Sequence, residues 1–299
     1  MNILLRQHQC PGDILMLTAA VRDLKRSHPY IGINVETTAM ALWENNPHLD
    51  RSINAMNADR VIDLHYPLIH SSDRLPYHFV HAFRIELEYL LGLRIQQGAF
   101  RGEVFLTEDE KKPLPAVSGL TGGYWIIDAG HKQDFPLKYW GVYNWQELAD
   151  RLAGKVTLIQ IGARDGGHFH PAIKGAMDLR GATTHREFCR LMYHAAGVIT
   201  PVSYPMHLAA AVPTPDGRLR PCIVINGGRE PVQWVQYPGH QFFHTVGALD
   251  CCRKGGCWKS KSDQCKHPVT VGGCTIGKCM TMISPERVAE AVLQYHNNR

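Results

Sequence analysis

Six of the nine cysteines, Cys251, Cys252, Cys257, Cys265, Cys274 and Cys279, crowd into one stretch near the end of the chain. A tetrahedral site for a soft divalent ion takes four thiolates, so this block offers more donors than one ion needs. After Cys252, successive thiols are separated by four to eight residues, and short loops of that length are what structural metal sites close. Zinc and iron both suit such a donor set. Four soft ligands leave no open coordination position, which points to a structural rather than a catalytic ion. The alternative is a loop of free cysteines, whose crowded thiolates would be costly and reactive. Arg253, Lys254, Lys259, Lys261 and Lys266 lie among the thiols in a ribbon-like pattern able to touch nucleic acid or an acidic acceptor.

A second group lies near the N-terminus. The apolar run Asn2 to Leu5 ends in a polar loop that closes on Gly12-Asp13, after which Ile14, Leu17, Val21 and Leu24 recur at helical spacing. Gly12 permits a tight turn. Asp13 enters the first turn of the helix, where the dipole and free amides favour its ionised form. A carboxylate there can act as general base toward a hydroxyl, or can simply cap the helix. Two further loops suit phosphate. Asp128 to Asp134 is polar and carries Gly130, so it can wrap a diphosphate. Ile225-Asn226-Gly227-Gly228-Arg229 sets two glycines beside an arginine that can grip phosphate through two nitrogens. Trp234 and Tyr237 are either stacking surfaces for a base or core residues. His65, His70, His78 and His81 either line an acceptor side or are ordinary loop residues.

The elements that must position these groups alternate. Apolar runs at 2–5, 31–35, 60–64, 124–127, 156–161, 197–200 and 222–225 read as strands. Helical spacing falls between them, through Trp43, over 77–92, over 141–153, after Thr183 or Thr184, over 205–212, and from Ser284-Pro285-Glu286 onward. Such alternation predicts an α/β protein with parallel sheets covered on both faces. The charged, then proline- and glycine-rich stretch 101–120 marks a boundary. The expected domains are 1–112, 120–250, a cysteine-rich metal-binding segment 251–283 and a terminal helix 284–299. At 299 residues and 44% hydrophobic content the chain can bury two medium cores. Its net charge of +5 suits a phosphate-bearing ligand without demanding nucleic acid. No stretch approaches the roughly 18 apolar residues of a membrane span, and the N-terminus lacks a secretory signal. A cytoplasmic enzyme is expected, and in a reducing compartment clustered thiols read as metal ligands before disulfides.

Arg6-x5-Gly12-Asp13-Ile14-Leu15-x2-Thr18-x3-Arg22-x-Leu24-Lys25 resembles the opening of the heptosyltransferase family, glycosyltransferase family nine, as does Trp43-Glu44-Asn45-Asn46-Pro47-His48-Leu49-Asp50. Lys138-Tyr139-Trp140-x4-Trp145-x-Glu147-Leu148 is similar to another segment of that family, and Ile199 to Ala211 to its second signature. In the latter, His207 and the alanine run match, while Val202, Ser203 and Tyr204 stand where the family has aspartate, threonine and glycine. The resemblance implies a GT-B fold, two Rossmann-like domains with parallel sheets facing a central cleft. It implies Asp13 as the base that deprotonates the acceptor, and Lys138 as a contact to the donor phosphates. Gly12, Ser203, His207 and Arg229 complete the expected donor site. The cysteine block is similar to that of relatives that hold iron on four thiolates, which implies one structural iron or zinc ion on Cys251 or Cys252 with Cys257, Cys265 and Cys279, Cys274 being spare.

The expected function is transfer of a sugar, heptose by resemblance, from a nucleoside-diphosphate donor, ADP-sugar favoured, to an acceptor hydroxyl on a saccharide, a protein or another molecule such as modified DNA. A homo-oligomer is compatible with it. The replacement at Val202 leaves the donor sugar open. It also leaves room for a catalytically silent, metal-stabilised binding protein, and a GT-B sugar-nucleotide epimerase is the rival within the fold.

Overall fold

The computed structural model describes residues 1–120, 123–133, 136–257 and 265–298. Asp134 of the expected diphosphate loop, and Lys259 and Lys261 of the basic pattern, lie outside the described residues.

Two parallel sheets carry the molecule, as the alternation of elements predicts. In the first, β1 (Asn2–Gln7) is central, between β2 (Gly32–Thr37) and β3 (Arg60–Asp63). Ile3 and Leu5 of β1 are fully buried, in register with Ile33 and Val35 of β2. The helix that follows, α1 (Pro11–Ser27), is buried without interruption from Gly12 to Leu24. A helix covered on every side has more than a sheet against it: α1 also packs on α2 (Ala82–Leu91) and on a helix of the second half, α5 (Tyr204–Ala211). Its buried Arg22 is satisfied by Asp23 at 2.8 Å and by the carbonyls of Ala99 and Arg101 at 2.7 and 2.8 Å, as a buried guanidinium must be.

The second sheet has the order β11 (His240–His244), β10 (Cys222–Gly227), β9 (Gly197–Pro201), β4 (Trp125–Asp128), β6 (Leu158–Ile161), β8 (Met177–Asp178), all pairs parallel. Strands β4, β6, β9 and β10 are buried at every residue, as expected where helices cover both faces of a parallel sheet. α3 (Val142–Leu152) and α8 (Pro285–Asn297) pack together on this half. α4 (His185–His194) begins at Thr184, whose side chain and Glu187 form a reciprocal capping box that contributes about 1 kcal/mol. Short pieces complete the description: β5 (His131–Lys132) paired with β7 (His168–Phe169), the four-residue helices α6 (Val232–Val235) and α7 (Lys278–Thr281), and the hairpin β12 (Pro268–Val271) and β13 (Cys274–Gly277).

The differences from expectation sit where short segments borrow their structure from neighbours. The stretch through Trp43 is one 3₁₀ turn, Met40–Trp43, and 77–92 opens as a 3₁₀ turn, Phe79–His81, before α2. β11, which forms the edge of the second sheet beyond β10, is not among the expected strands. Among the described residues no helix is long and apolar enough to cross a membrane.

Candidate functional site

A cleft of about 1080 Å³ runs between the carboxyl ends of the two sheets, the position where open α/β sheets bind ligands. Gly12, Asp13, Lys138, Ser203, His207 and Arg229 all line it, so packing brings the six residues singled out in the sequence into one cavity.

Asp13 is the third residue of α1, behind Pro11 at the first helical position. Its carboxylate accepts from the Cys10 N–H at 3.1 Å and from the Tyr66 hydroxyl. Only 9% of the residue is exposed. Burial therefore outweighs these donors and the charge of Lys138, and raises the carboxyl from 3.8 to about 6. This reverses the direction expected from the helix dipole alone, since the second half of the molecule covers the helix terminus and removes the water that keeps such a carboxylate acidic. Gly12 is likewise explained by packing rather than by a turn. It lies within the helix, and a Cβ on it would stand 3.2 Å from the His207 ring.

The opposite wall is cationic. Lys138 ends a 3₁₀ turn, Pro136–Lys138. Its ammonium donates to the Val202 carbonyl at 2.9 Å and pairs with Glu230 at 3.1 Å. Glu230 also pairs with Arg229. Burial alone would raise the Glu230 carboxyl, but the two cations hold it below the usual range. Lys138 is pushed down by burial against the pull of Glu230. Ser203 stands immediately before α5, and its hydroxyl, instead of capping that helix, donates to Asp128 at 2.8 Å. Asp128 ends β4 and also receives the Thr200 hydroxyl at 3.3 Å. His170 stands 3.3 Å from its other oxygen, wedged where a Cβ on Gly130 or Gly162 would clash with the ring.

His207 is buried, and its Nδ1 meets the Tyr237 hydroxyl at 2.8 Å, which in turn donates to Met16 of α1 at 3.2 Å. Burial, reinforced by His78, Lys138 and His240, drives its pKa well below the ordinary value. A neutral ring held in the seam between the halves orders that seam. Tyr237 is thereby occupied, and Trp234 stacks on Phe79 with ring centroids 5.0 Å apart. Both are buried; Tyr237 lies off the cleft wall, whereas Trp234 still lines it. Of the segment 65–81, the residues on the cleft are Tyr66, Ile69 and Phe79 rather than its histidines. Tyr66 escaped the sequence reading, and Asp128 and Glu230, although they lie in or next to the two loops expected to take phosphate, were given no role of their own. Asp128 at a strand's carboxyl end and Glu230 beside Arg229 had a positional signal, whereas the bond from Tyr66 to Asp13 joins the segment after β3 to the first turn of α1 and had none.

Behind Arg229 a second, much smaller cavity of about 20 Å³ is lined by Cys251, Cys257, Cys265 and Cys279 together with Gly228, Arg229 and Leu137. Its four sulfur donors share one small cavity, but among the described residues no three of them lie within 4.8 Å of one another, so an ion would have to draw them together. Cβ atoms on Gly277 would stand 3.2 Å from the sulfurs of Cys265 and Cys279, so glycine there leaves the thiols room to converge. The other two thiols are engaged elsewhere. The buried Cys252 donates to the carbonyls of Leu249 and Thr245 at 3.3 and 3.5 Å, and Cys274 bonds the Tyr139 hydroxyl. Burial and the neighbouring thiols push Cys251 up to about 11 and Cys257 up to about 12. Asp250, Cys251 and His267 also cluster closely enough to hold an ion at the exposed rim, and His267 too was missed in the sequence.

Comparison with known proteins agrees with this geometry. The model of glycosyltransferase family 9 (heptosyltransferase) matches residues 90–217, a span that includes Lys138, Ser203 and His207. A family 9 glycosyl transferase from Veillonella parvula superposes over 100% of this chain and 98% of its own at a TM-score of 0.71 and 16% identity. The E. coli ADP-heptose lps heptosyltransferase II superposes over 100% and 99% at 0.60 and 16%. TibC, a bacterial iron-containing dodecameric glycosyltransferase from enterotoxigenic E. coli, superposes over 99% and 76% at 0.68 and 16%. No curated protein matches by sequence. The chain is a glycosyltransferase of GT-B-like fold. The resemblance to family 9 holds in the matched segment and in the whole fold.

Proposed function

We propose that the protein transfers a sugar from a nucleoside diphosphate to an acceptor hydroxyl, with Asp13 as the base. The observation that carries this reading is the pairing of walls across one cleft, where a buried carboxylate near neutrality faces Lys138 and Arg229. The acceptor oxygen would lose its proton to Asp13 as it attacks the anomeric carbon. The bond from that carbon to the diphosphate breaks, and its electron pair leaves on a phosphate oxygen stabilised by Lys138, Arg229 and the amides at the start of α5. Of the acids on the cleft wall besides Asp13, Asp128 is tied to Ser203 and Glu230 to the two cations, and Asp165 is the remaining one. An epimerase, which needs further carboxylates facing the sugar, would have to rely on Asp165.

TibC has been solved in complex with ADP-D-beta-D-heptose, and an ADP-linked heptose is the donor we assign here. The four thiols of the small cavity would hold one iron or zinc ion, whose contribution is to tie the loops of the segment together. A homo-oligomer acting in the cytoplasm, where thiols stay reduced, belongs to the same reading. Light scattering tests the assembly.

Calorimetric titration of nucleoside diphosphates and ADP-heptose into the wild type and Lys138→Ala tests the donor site. Micromolar binding of one nucleotide is expected, weakened at least about tenfold by the variant, the loss of roughly one charge-assisted contact. Absence of binding by every nucleotide would sink the reading. Tyr66→Phe probes the base. Removing a donor to the ionised carboxylate should raise the Asp13 pKa further, so the acid limb of the kcat/KM profile, expected near pH 6 in the wild type, should move to higher pH. An unmoved limb would dissociate Tyr66 from the base.

A further inference from the structure

The turn 227–230 belongs to two cavities at once. On its front, Arg229 and Glu230 line the cleft, and Glu230 holds Lys138. On its back it lies against the thiol segment with almost no slack. The Cys257 N–H donates to the Gly228 carbonyl at 3.1 Å, and the Gly228 N–H donates to the Cys279 sulfur. A Cβ on Gly228 would stand 3.0 Å from the Cys252 sulfur, and one on Gly256 would stand 2.4 Å from the Arg229 carbonyl. Arg229 itself lines the thiol cavity, as does Leu137, which precedes Lys138. Arg229 and Lys138 therefore both sit on, or next to, backbone that the thiol segment touches.

We infer that metal loading of the thiol site positions Arg229 and Lys138, so that metal and donor diphosphate bind with positive coupling. This rests on the reading of the cleft as a diphosphate site. An ion held by Cys251, Cys257, Cys265 and Cys279 would join three separate pieces of chain, two of which bond directly to Gly228. Without it, those pieces are joined by backbone and hydroxyl contacts, such as the Lys278 N–H to the His267 carbonyl at 2.8 Å and the Thr245 hydroxyl to the Cys279 carbonyl at 3.2 Å. The ion would add a direct cross-link between the two pieces that bond to Gly228. The competing account is that the turn holds itself, because the Asn226 side chain bridges it by donating to the Glu230 carbonyl at 2.9 Å. In that case the metal would be irrelevant to the cleft.

Linkage makes the distinction measurable. If metal raises diphosphate affinity by some factor, diphosphate must raise metal affinity by the same factor, and couplings of this kind span roughly 5- to 150-fold. ADP is titrated calorimetrically into full-length protein of measured metal content, then into protein stripped by a chelator under reducing conditions, with circular dichroism checking the fold. Separately, the loaded protein is equilibrated against a graded chelator with and without saturating ADP. The expected results are ADP binding at least about tenfold weaker after stripping, and a matching increase in the chelator needed for half removal when ADP is present. Equal ADP affinity in folded stripped and loaded protein would overturn the inference while leaving the donor site standing. Loss of ADP binding in the loaded protein as well would overturn both. Should the stripped protein unfold, the chelator titration on loaded protein decides alone, and retention that ignores ADP overturns the coupling.

Discussion

Asp13→Asn is expected to cut sugar transfer by about 10²- to 10⁴-fold, the usual contribution of a positioned base, and at the same time to leave the protein more stable at neutral pH. The folded state keeps the Asp13 proton up to about pH 6, against 3.8 for the ordinary carboxyl. Between those values the folded form binds more protons than the unfolded one, so stability falls as pH rises through that window and stays lower above it. A shift of roughly two units corresponds to about 3 kcal/mol. The neutral amide avoids that cost, though it gives up one of two accepting oxygens, so about 3 kcal/mol is a ceiling on the gain. Thermal unfolding at pH 7.5 should place the variant above the wild type, and the gap should close toward pH 4. Unchanged transfer by Asp13→Asn would remove this residue from the chemistry. Unchanged stability would mean that the carboxylate is better solvated than its covered position implies.

Replacing Cys257 or Cys265 by serine should abolish metal retention and lower the Tm by about 10 °C, several kcal/mol for a chain of this size. Cys274→Ser should retain the metal, and so should Cys252→Ser. The contrast follows from where the sulfurs sit. Cys251, Cys257, Cys265 and Cys279 share one small cavity, Cys252 is spent on two backbone carbonyls, and Cys274 on Tyr139. Elemental analysis of the purified variants checks the assignment. Full metal content in Cys265→Ser together with loss in Cys274→Ser would exchange their roles, and retention in all four variants would place the ion elsewhere, the rim formed by Asp250, Cys251 and His267 being the first alternative.

Much of this architecture was legible before any coordinates. Fully apolar runs such as Ile126-Ile127 and Ile223-Val224-Ile225 belong to strands buried on both faces, and Ser284-Pro285-Glu286 opens α8 as its cap chemistry predicts. The six cysteines marked out a candidate metal-binding block through count and spacing alone. Gly12, Asp13, Lys138, Ser203, His207 and Arg229 were named from local motifs and the resemblance those motifs carry, and they converge on one cleft.

Other properties depend on residues far apart in the chain. Which four thiols share a cavity is decided by β13, α7 and the loop after Cys252 packing behind the turn at Gly228. Glu230 is ionised between Lys138 and Arg229 only because the turn before α3 comes to rest against the end of β10. The state of Asp13 shows the division most directly. The sequence placed it in the first turn of a helix after a strand, where local dipoles favour the charged form. The second half of the molecule then covers that turn, and burial raises the carboxyl toward neutrality. Periodicity and caps are written in neighbouring residues, so sequence alone determined the elements and the candidate chemistry. Desolvation and through-space charge come from segments that meet only on folding, so the tertiary structure alone decided how that chemistry is tuned.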